Sequence, residues 1–200
     1  LRLNADLQVD HFTPLTGFDD TEDLCHVSGN TFAVVEERRR MLCIFELPAE
    51  GDVSYHDVVK SLIEKEDFEN KGLEGVSYIP DSDRFIIVKE KKPMRIYSIA
   101  QDALGKENPD ITHPWDAVKQ SHNLGDLSAV HYDATRGHLL LLSDDSKSVT
   151  EVTLKGDKVS VLLLTGGHAG LQGDIPQPEG ITVGKNGHLY IVSEPNLIYE

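Results

Sequence analysis

Residues 129–164, AVHYDATRGHLLLLSDDSKSVTEVTLKGDKVSVLLL, hold four short runs of alternating or continuous apolar residues separated by turn signals. The runs are AVHYD, HLLLLS, SVTEVTL and KVSVLLL, and the breaks include ATRG and KGD. Short runs rich in Val and Leu, bounded by Gly and Asp, read as strands joined by tight hairpins. Four such strands in succession make one propeller blade by length and pattern.

Working outward, the start of this unit occurs four times. The copies read DTEDLCHVSGNTFAVVEERRR, GLEGVSYIPDSDRFIIVKEKK, DLSAVHYDATRGHLLLLSDDSK and QPEGITVGKNGHLYIVSEPN. Each runs acid, small or apolar residue, strand, turn, second strand, second acid. Glu22, Glu74 and Glu179 open three of them; the third has Ser128 there, with Asp126 two residues earlier. A period of roughly 50 residues built of short strands marks an all-β propeller of antiparallel four-stranded blades, not a doubly wound sheet.

The chain divides as one domain over 1–200. Residues 1–16 are expected to be the outer strand of a preceding blade, with 4–16 as a single strand and loop that lacks partners. Successive blades are expected at 17–71, 72–124, 125–177 and 178–200. In 49–71, Tyr55, Val58, Val59, Leu62 and Ile63 fit helical spacing, but the repeat asks for a fourth strand, and the strand is preferred. Residues 101–124 read as an inserted loop because of Pro109 and Pro114, with Thr112 capping a short helix over 116–120. The orphan first strand suggests a propeller with one more blade than this chain contains, about four here and five in all.

Composition sets limits on partners. The chain has 200 residues, 39% of them hydrophobic, and a formal net charge of −15. The charge argues against nucleic acid and anionic lipid as primary partners and favours cations, or only solubility. No run of 18 apolar residues is present, so no membrane span is expected. Cys25 and Cys43 fall on the first and third strands of one blade, too far apart for a disulfide, and are expected to be buried free thiols.

In a propeller the innermost strands line a central channel. Residues at the start of those strands therefore converge at one channel mouth: Glu22, Glu74, Glu179, and Asp126 or Ser128. The second acids, Glu36 or Glu37, Glu90, Asp144 or Asp145, and Glu194, return beside them one layer out, with Asn196 nearby. Crowded carboxylates persist when a cation neutralises them, when Lys or Arg pairs with them, or when some are protonated. Calcium takes six to eight oxygens in irregular geometry and suits such a ring. The competing readings are structural pairing with Arg38 to Arg40, Lys89, Lys91, Lys92 and Lys147, and a catalytic acid set.

Other signals are weaker. Asp81-Ser82-Asp83 lacks the Gly and Glu of an EF-hand loop. Residues 166–170 (GGHAG) are not followed by Lys-Ser/Thr and read as a flexible loop between blades. No GxSxG exists, so no nucleophile elbow is indicated. His138 and His188 follow turn glycines and are expected to be exposed. His113 and Trp115 sit in the long insertion, where they are candidates to line a rim.

The segments FDDTEDL, NKGLEGVSYIPDSDRFIIVKEKKP, GDLSAVHYD with LLLLSDDSK, and PQPEGITV with LYIVSEPN resemble the SdiA-regulated (YjiK/CarP) family, in order and over residues 4–200. The resemblance implies a five-bladed propeller exported to the cell envelope of Gram-negative bacteria, periplasmic or membrane-anchored, linked to calcium and without an established catalytic activity. The expectation is a non-enzymatic envelope propeller that binds Ca2+ or another cation or small ligand at its acidic mouth and acts in calcium-linked homeostasis or as a binding scaffold. The alternatives are a calcium-dependent hydrolase of phosphoesters or lactones, and a scaffold that uses the loops 101–124 and 165–177.

Overall fold

The computed structural model describes residues 1–4, 6–65, 72–91, 93–114 and 124–200. The first sixteen residues differ from the single unpartnered strand expected. β1 (Arg2–Leu3) and β2 (Val9–His11) form a small antiparallel hairpin, and β3 (Leu15–Thr16) is a separate strand. Asn4 closes the hairpin: its side-chain oxygen accepts the N–H groups of Asp6 and Gln8.

The first blade contains β4 (Thr21–Ser28), β5 (Thr31–Glu36) and β6 (Met41–Glu46). β7 (Val53–Ser54) leaves the blade to pair in parallel with β3, and β8 (Val59–Leu62) completes it. Its order is β4-β5-β6-β8, so the outer strand forms where the repeat required it. The helical spacing over Tyr55 is realised only as one 3-10 turn, Tyr55–Asp57.

The second blade is β9 (Leu73–Ile79), β10 (Arg84–Lys89), β11 (Arg95–Ala100) and β12 (Ile111–Thr112). β12 lies inside the stretch expected to be loop; Ser98 and Ile99 of β11 pair with Thr112 and Ile111. The proposed helix over 116–120 lies outside the described residues. The third blade is β13 (Ala129–Asp133), β14 (His138–Ser143), β15 (Ser148–Thr153) and β16 (Lys158–Leu163), as its alternation indicated. The fourth has β17 (Pro178–Val183), β18 (Leu189–Ser193) and β19 (Leu197–Tyr199).

The four antiparallel blades are arranged as a β-propeller: β4 packs on β9, β9 on β13, and β13 on β17, so these are the inner strands. Apolar cores fill the spaces between neighbouring blades. Ala33, Val35, Leu42 and Leu73 pack with Phe85 and Ile87 between the first and second. Val88 and Ile96 meet Val130 and Leu141 between the second and third, and Leu140 and Leu142 meet Ile191 between the third and fourth. Burial of this apolar surface is the main stabilising contribution.

Polar contacts also join blades. Asp23 on β4 accepts the Val76 N–H of β9 at 2.9 Å, and the Ser77 hydroxyl accepts the Tyr132 N–H of β13 at 2.8 Å. Gly75 sits where two strands meet; a Cβ there would lie 2.8 Å from Val130 N and 2.9 Å from the Ala129 Cα. This contact explains the Gly that follows Glu74.

Cys43 is buried and Cys25 half-buried; both are free, with the strand β5 between theirs. His188 is exposed, but His138 is half-buried and its Nδ1 lies 2.8 Å from a Glu151 carboxylate oxygen, because it begins β14 rather than ending the turn.

An acidic channel mouth as the candidate functional site

Each inner strand starts at the same end of the channel, and each following strand runs back to that end. Thr21 pairs with Glu36, Leu73 with Lys89, and Pro178 with Ser193. The two acids of each repeat are thereby brought together. All ten residues expected at the mouth line one cavity of about 870 Å³: Glu22, Glu74, Asp126, Ser128 and Glu179, with Glu37, Glu90, Asp145, Glu194 and Asn196. The two sets share this one space. Glu36, the other choice at its position, does not line it; it is fully buried and accepts from Asp19 N–H and Arg39.

The mouth divides by bonding. On the third blade the carboxylate of Asp126 accepts the Ser143 hydroxyl at 2.5 Å and the Asp145 N–H, and the Ser128 hydroxyl accepts the Asp144 N–H at 3.1 Å. Glu37 accepts the Gly72 N–H at 2.9 Å, which ties the first blade to the start of β9. Lys91 reaches Asp145 at 2.6 Å and Glu90 at 3.3 Å, while Lys147 pairs with Asp144. Arg38 pairs with Asp20 at 2.8 Å. Structural pairing therefore accounts for much of the third blade's share.

Glu22, Glu74 and Glu179 differ. Among the described residues none of them has a hydrogen-bond or ion-pair partner. Burial pushes the Glu74 carboxyl up to about 9, reinforced by Glu22, Glu37, Glu90 and Glu179. Burial raises Glu179 to about 7, with Asp144, Glu194, Asp126 and Glu22 adding to it. Glu22 is exposed by its surface area, yet it is raised by partial desolvation within the mouth and by Asp20, Glu37 and Glu194, against the opposing charge of Arg38. Ionising these three acids together is opposed by one another and by their neighbours, with Arg38 offsetting only part of the charge at Glu22; protonation or a cation relieves that repulsion.

Two triads have carboxylate oxygens within 4.8 Å of one another: Asp20, Glu22 and Glu37, and Asp126, Asp144 and Asp145. The donors lining the mouth are oxygens, with no His or Cys among the described residues. That set fits a hard cation such as Ca2+ better than zinc or copper.

Three features escaped the sequence reading. Asp20 does not line the cavity but places a carboxylate oxygen within 4.8 Å of those of Glu22 and Glu37; it precedes Glu22 by two residues, as Asp126 precedes Ser128, and that shared offset is a usable signal. Asp23 points deeper, where a second cavity of about 270 Å³ is bounded by Asp23, Val76, Val130 and Ile181 from all four inner strands. Burial raises its carboxyl to about 7, against the N–H groups of Val76 and Leu24. Finally, one flank of the mouth is apolar, with Leu1, Leu3, Leu7 and Val9 on one side and Val192, Leu197 and Ile198 on the other. No local pattern announces that flank.

His113 does not line the mouth. Its ring packs 5.1 Å from the Tyr97 ring, and Trp115 lies outside the described residues. The 165–174 loop is held by its own contacts, the Gly166 N–H donating to Asp174. Among the described residues no helix is long and apolar enough to cross a membrane.

The chain belongs to the SdiA-regulated family, whose profile matches residues 1–200. Its fold is similar to a chain in the crystal structure of a nidogen/laminin complex, with TM-score 0.58 and 14% identity over 89% of this chain and 57% of that one. It is also similar to the WD40 β-propeller domain of Doa1 (TM-score 0.50, 16% identity, 92% of this chain, 52% of that chain). A Bacteroides caccae protein of unknown function gives TM-score 0.51 at 11% identity, over 92% of this chain and 61% of that one. The chain thus spans between about half and three fifths of the length of these structures, and identities this low speak to fold alone.

Proposed function

We propose that this protein is a non-enzymatic β-propeller of the cell envelope whose acidic mouth binds a cation, calcium foremost, in calcium-linked homeostasis or as a cation-dependent scaffold. The observation that carries the reading is the convergence of Glu22, Glu74 and Glu179 from three blades on one cavity, without hydrogen-bond or ion-pair partners among the described residues. The all-oxygen donor set supports calcium. The envelope location is carried over from what the family resemblance implies. We also propose that the full propeller has five blades. The apolar flank formed by Leu1, Leu3, Leu7, Val9, Leu197 and Ile198 has the character of a blade face awaiting a neighbour.

A second reading rests on the size of the mouth. A volume of about 870 Å³ far exceeds one ion and matches a small-molecule pocket. A bound metal with an open position would polarise a phosphoester or lactone, with Glu74 or Glu179 as base.

The test is thermal melting of chelator-treated protein against calcium and magnesium, for the parent and for Glu22→Gln, Glu74→Gln and Glu179→Gln. Calcium at a hundred times its Kd raises stability by about 2.7 kcal/mol through mass action. A calcium-selective rise that the three variants lose supports the cation site. A parent that does not respond to millimolar calcium overturns it. Turnover of a phosphoester or lactone panel by calcium-loaded protein, abolished in Glu74→Gln, would favour the second reading.

A further inference from the structure

Among the described residues lining the mouth, nine carboxylates face a single basic side chain, Lys91. It follows β10 of the second blade, yet its ammonium crosses to the third. Nζ lies 2.6 Å from Asp145 Oδ2, 3.3 Å from Glu90 Oε1 and 3.9 Å from Asp126 Oδ2. The Lys91 side chain is only 25% exposed. Asp126 and Asp145 belong to the triad whose carboxylate oxygens, with those of Asp144, approach within 4.8 Å. A cation therefore already sits among those oxygens, and it is part of the chain.

We propose that Lys91 is a tethered cation that fills the third blade's side of the mouth and restricts a free divalent ion to the side of Glu22, Glu74 and Glu179. This rests on the cation reading above and adds a determinant of stoichiometry to it. An ammonium carries one charge and three donors, so it satisfies oxygens that would otherwise surround a metal. It also offsets the negative charge of Asp126 and Asp145, because opposite charges this close and partly shielded from water interact strongly. The side chain thus sets how many ions the mouth takes. On the first blade Arg38 pairs with Asp20 and leaves Glu22 without an ion pair among the described residues.

The experiment is calorimetric calcium titration of chelator-treated protein, with melting curves as the control for folding. The variants are Lys91→Met, Lys91→Gln as a second neutral replacement, Lys91→Met with Asp145→Asn, and Glu74→Gln with Glu179→Gln. The expected result is one calcium per chain in the parent and two in both neutral Lys91 variants. The added ion is lost when Asp145→Asn is included, and the parent's own ion is lost in the paired Glu variant. Unchanged stoichiometry and affinity in both Lys91 variants overturns the inference and leaves the cation reading in place. A parent that binds no calcium, beside a Lys91→Met variant that binds one through Asp145, overturns the cation reading and supports Lys91 as the occupant. No binding in any of them overturns both.

Discussion

Lys89 Nζ lies 2.7 Å from Glu64 Oε2, an ion pair closed to solvent that joins the second blade to the end of the first. Arg95 holds the other oxygen of the same carboxylate at 2.8 Å. Charges in such a place are tolerated because they are paired. Removing one partner leaves a buried charge short of compensation, whereas replacing both with apolar groups is often neutral.

Glu64→Ala is therefore expected to destabilise the fold by about 3–5 kcal/mol in urea unfolding. Lys89→Met combined with Glu64→Leu should recover most of that loss. A Glu64→Ala protein as stable as the parent would mean that Lys89 is compensated without Glu64.

Gly75 gives a steric counterpart. A Cβ there would meet the Val88 Cγ2 at 2.7 Å and also two backbone atoms that cannot swing aside, Val130 N and the Ala129 Cα. Gly75→Ala must push two inner strands apart beside Glu74, and overpacking of this kind costs about 1–3 kcal/mol. The same substitution at Gly187, where a Cβ meets nothing within 4 Å but φ is +80°, tests backbone strain alone. Denaturant midpoints separate the two. If calcium binding is measured as well, Gly75→Ala should disturb it and Gly187→Ala should not.

Much of this was legible in the sequence, and the reason is local. Strand alternation and turn residues are read over a few positions, so the inner hairpins could be placed without long-range information. The period then carried Glu22, Glu74 and Glu179 to one mouth. What escaped depends on tertiary contact. β12 is two residues long and exists because Ser98 and Ile99 offer it an edge. β3 pairs in parallel with β7, which lies nearly forty residues on (Leu15 with Val53), a partnership no local pattern encodes. Lys91 reads as one of several basic residues after a strand; only its reach to Asp145 singles it out.

Adjacent acids on β4, Glu22 at the mouth and Asp23 below it, should behave in opposite ways. Asp23 satisfies the Val76 and Leu24 N–H groups, and Asp23→Ala leaves them without that acceptor, a cost of about 1–3 kcal/mol. Glu22 has neither a hydrogen bond nor an ion pair among the described residues and is repelled by Asp20, Glu37 and Glu194. Glu22→Ala should leave metal-free protein equally stable or slightly more so. Equal losses for both would mean that Glu22 has a structural duty.

The pH dependence of the metal-free protein follows from Glu74. Its carboxyl is raised from the ordinary 4.5 to about 9, first by burial and then by Glu22, Glu37, Glu90 and Glu179. The folded state therefore holds a proton that the unfolded chain has released, and stability must fall as pH rises through that interval. Below 4.5 the group contributes nothing to the slope, since both states are protonated. Glu179, raised to about 7, adds to the fall over the lower part of the range. Chelator-treated protein should thus be more stable near pH 5.5 than near pH 8, and Glu74→Gln should remove about 1–3 kcal/mol of that difference. Saturating calcium should flatten the profile too, because a bound cation favours the ionised carboxylates that burial disfavours. Stability that rises with pH in the metal-free protein, with Glu74→Gln leaving the slope untouched, would mean that the Glu74 carboxylate is already compensated in the folded state.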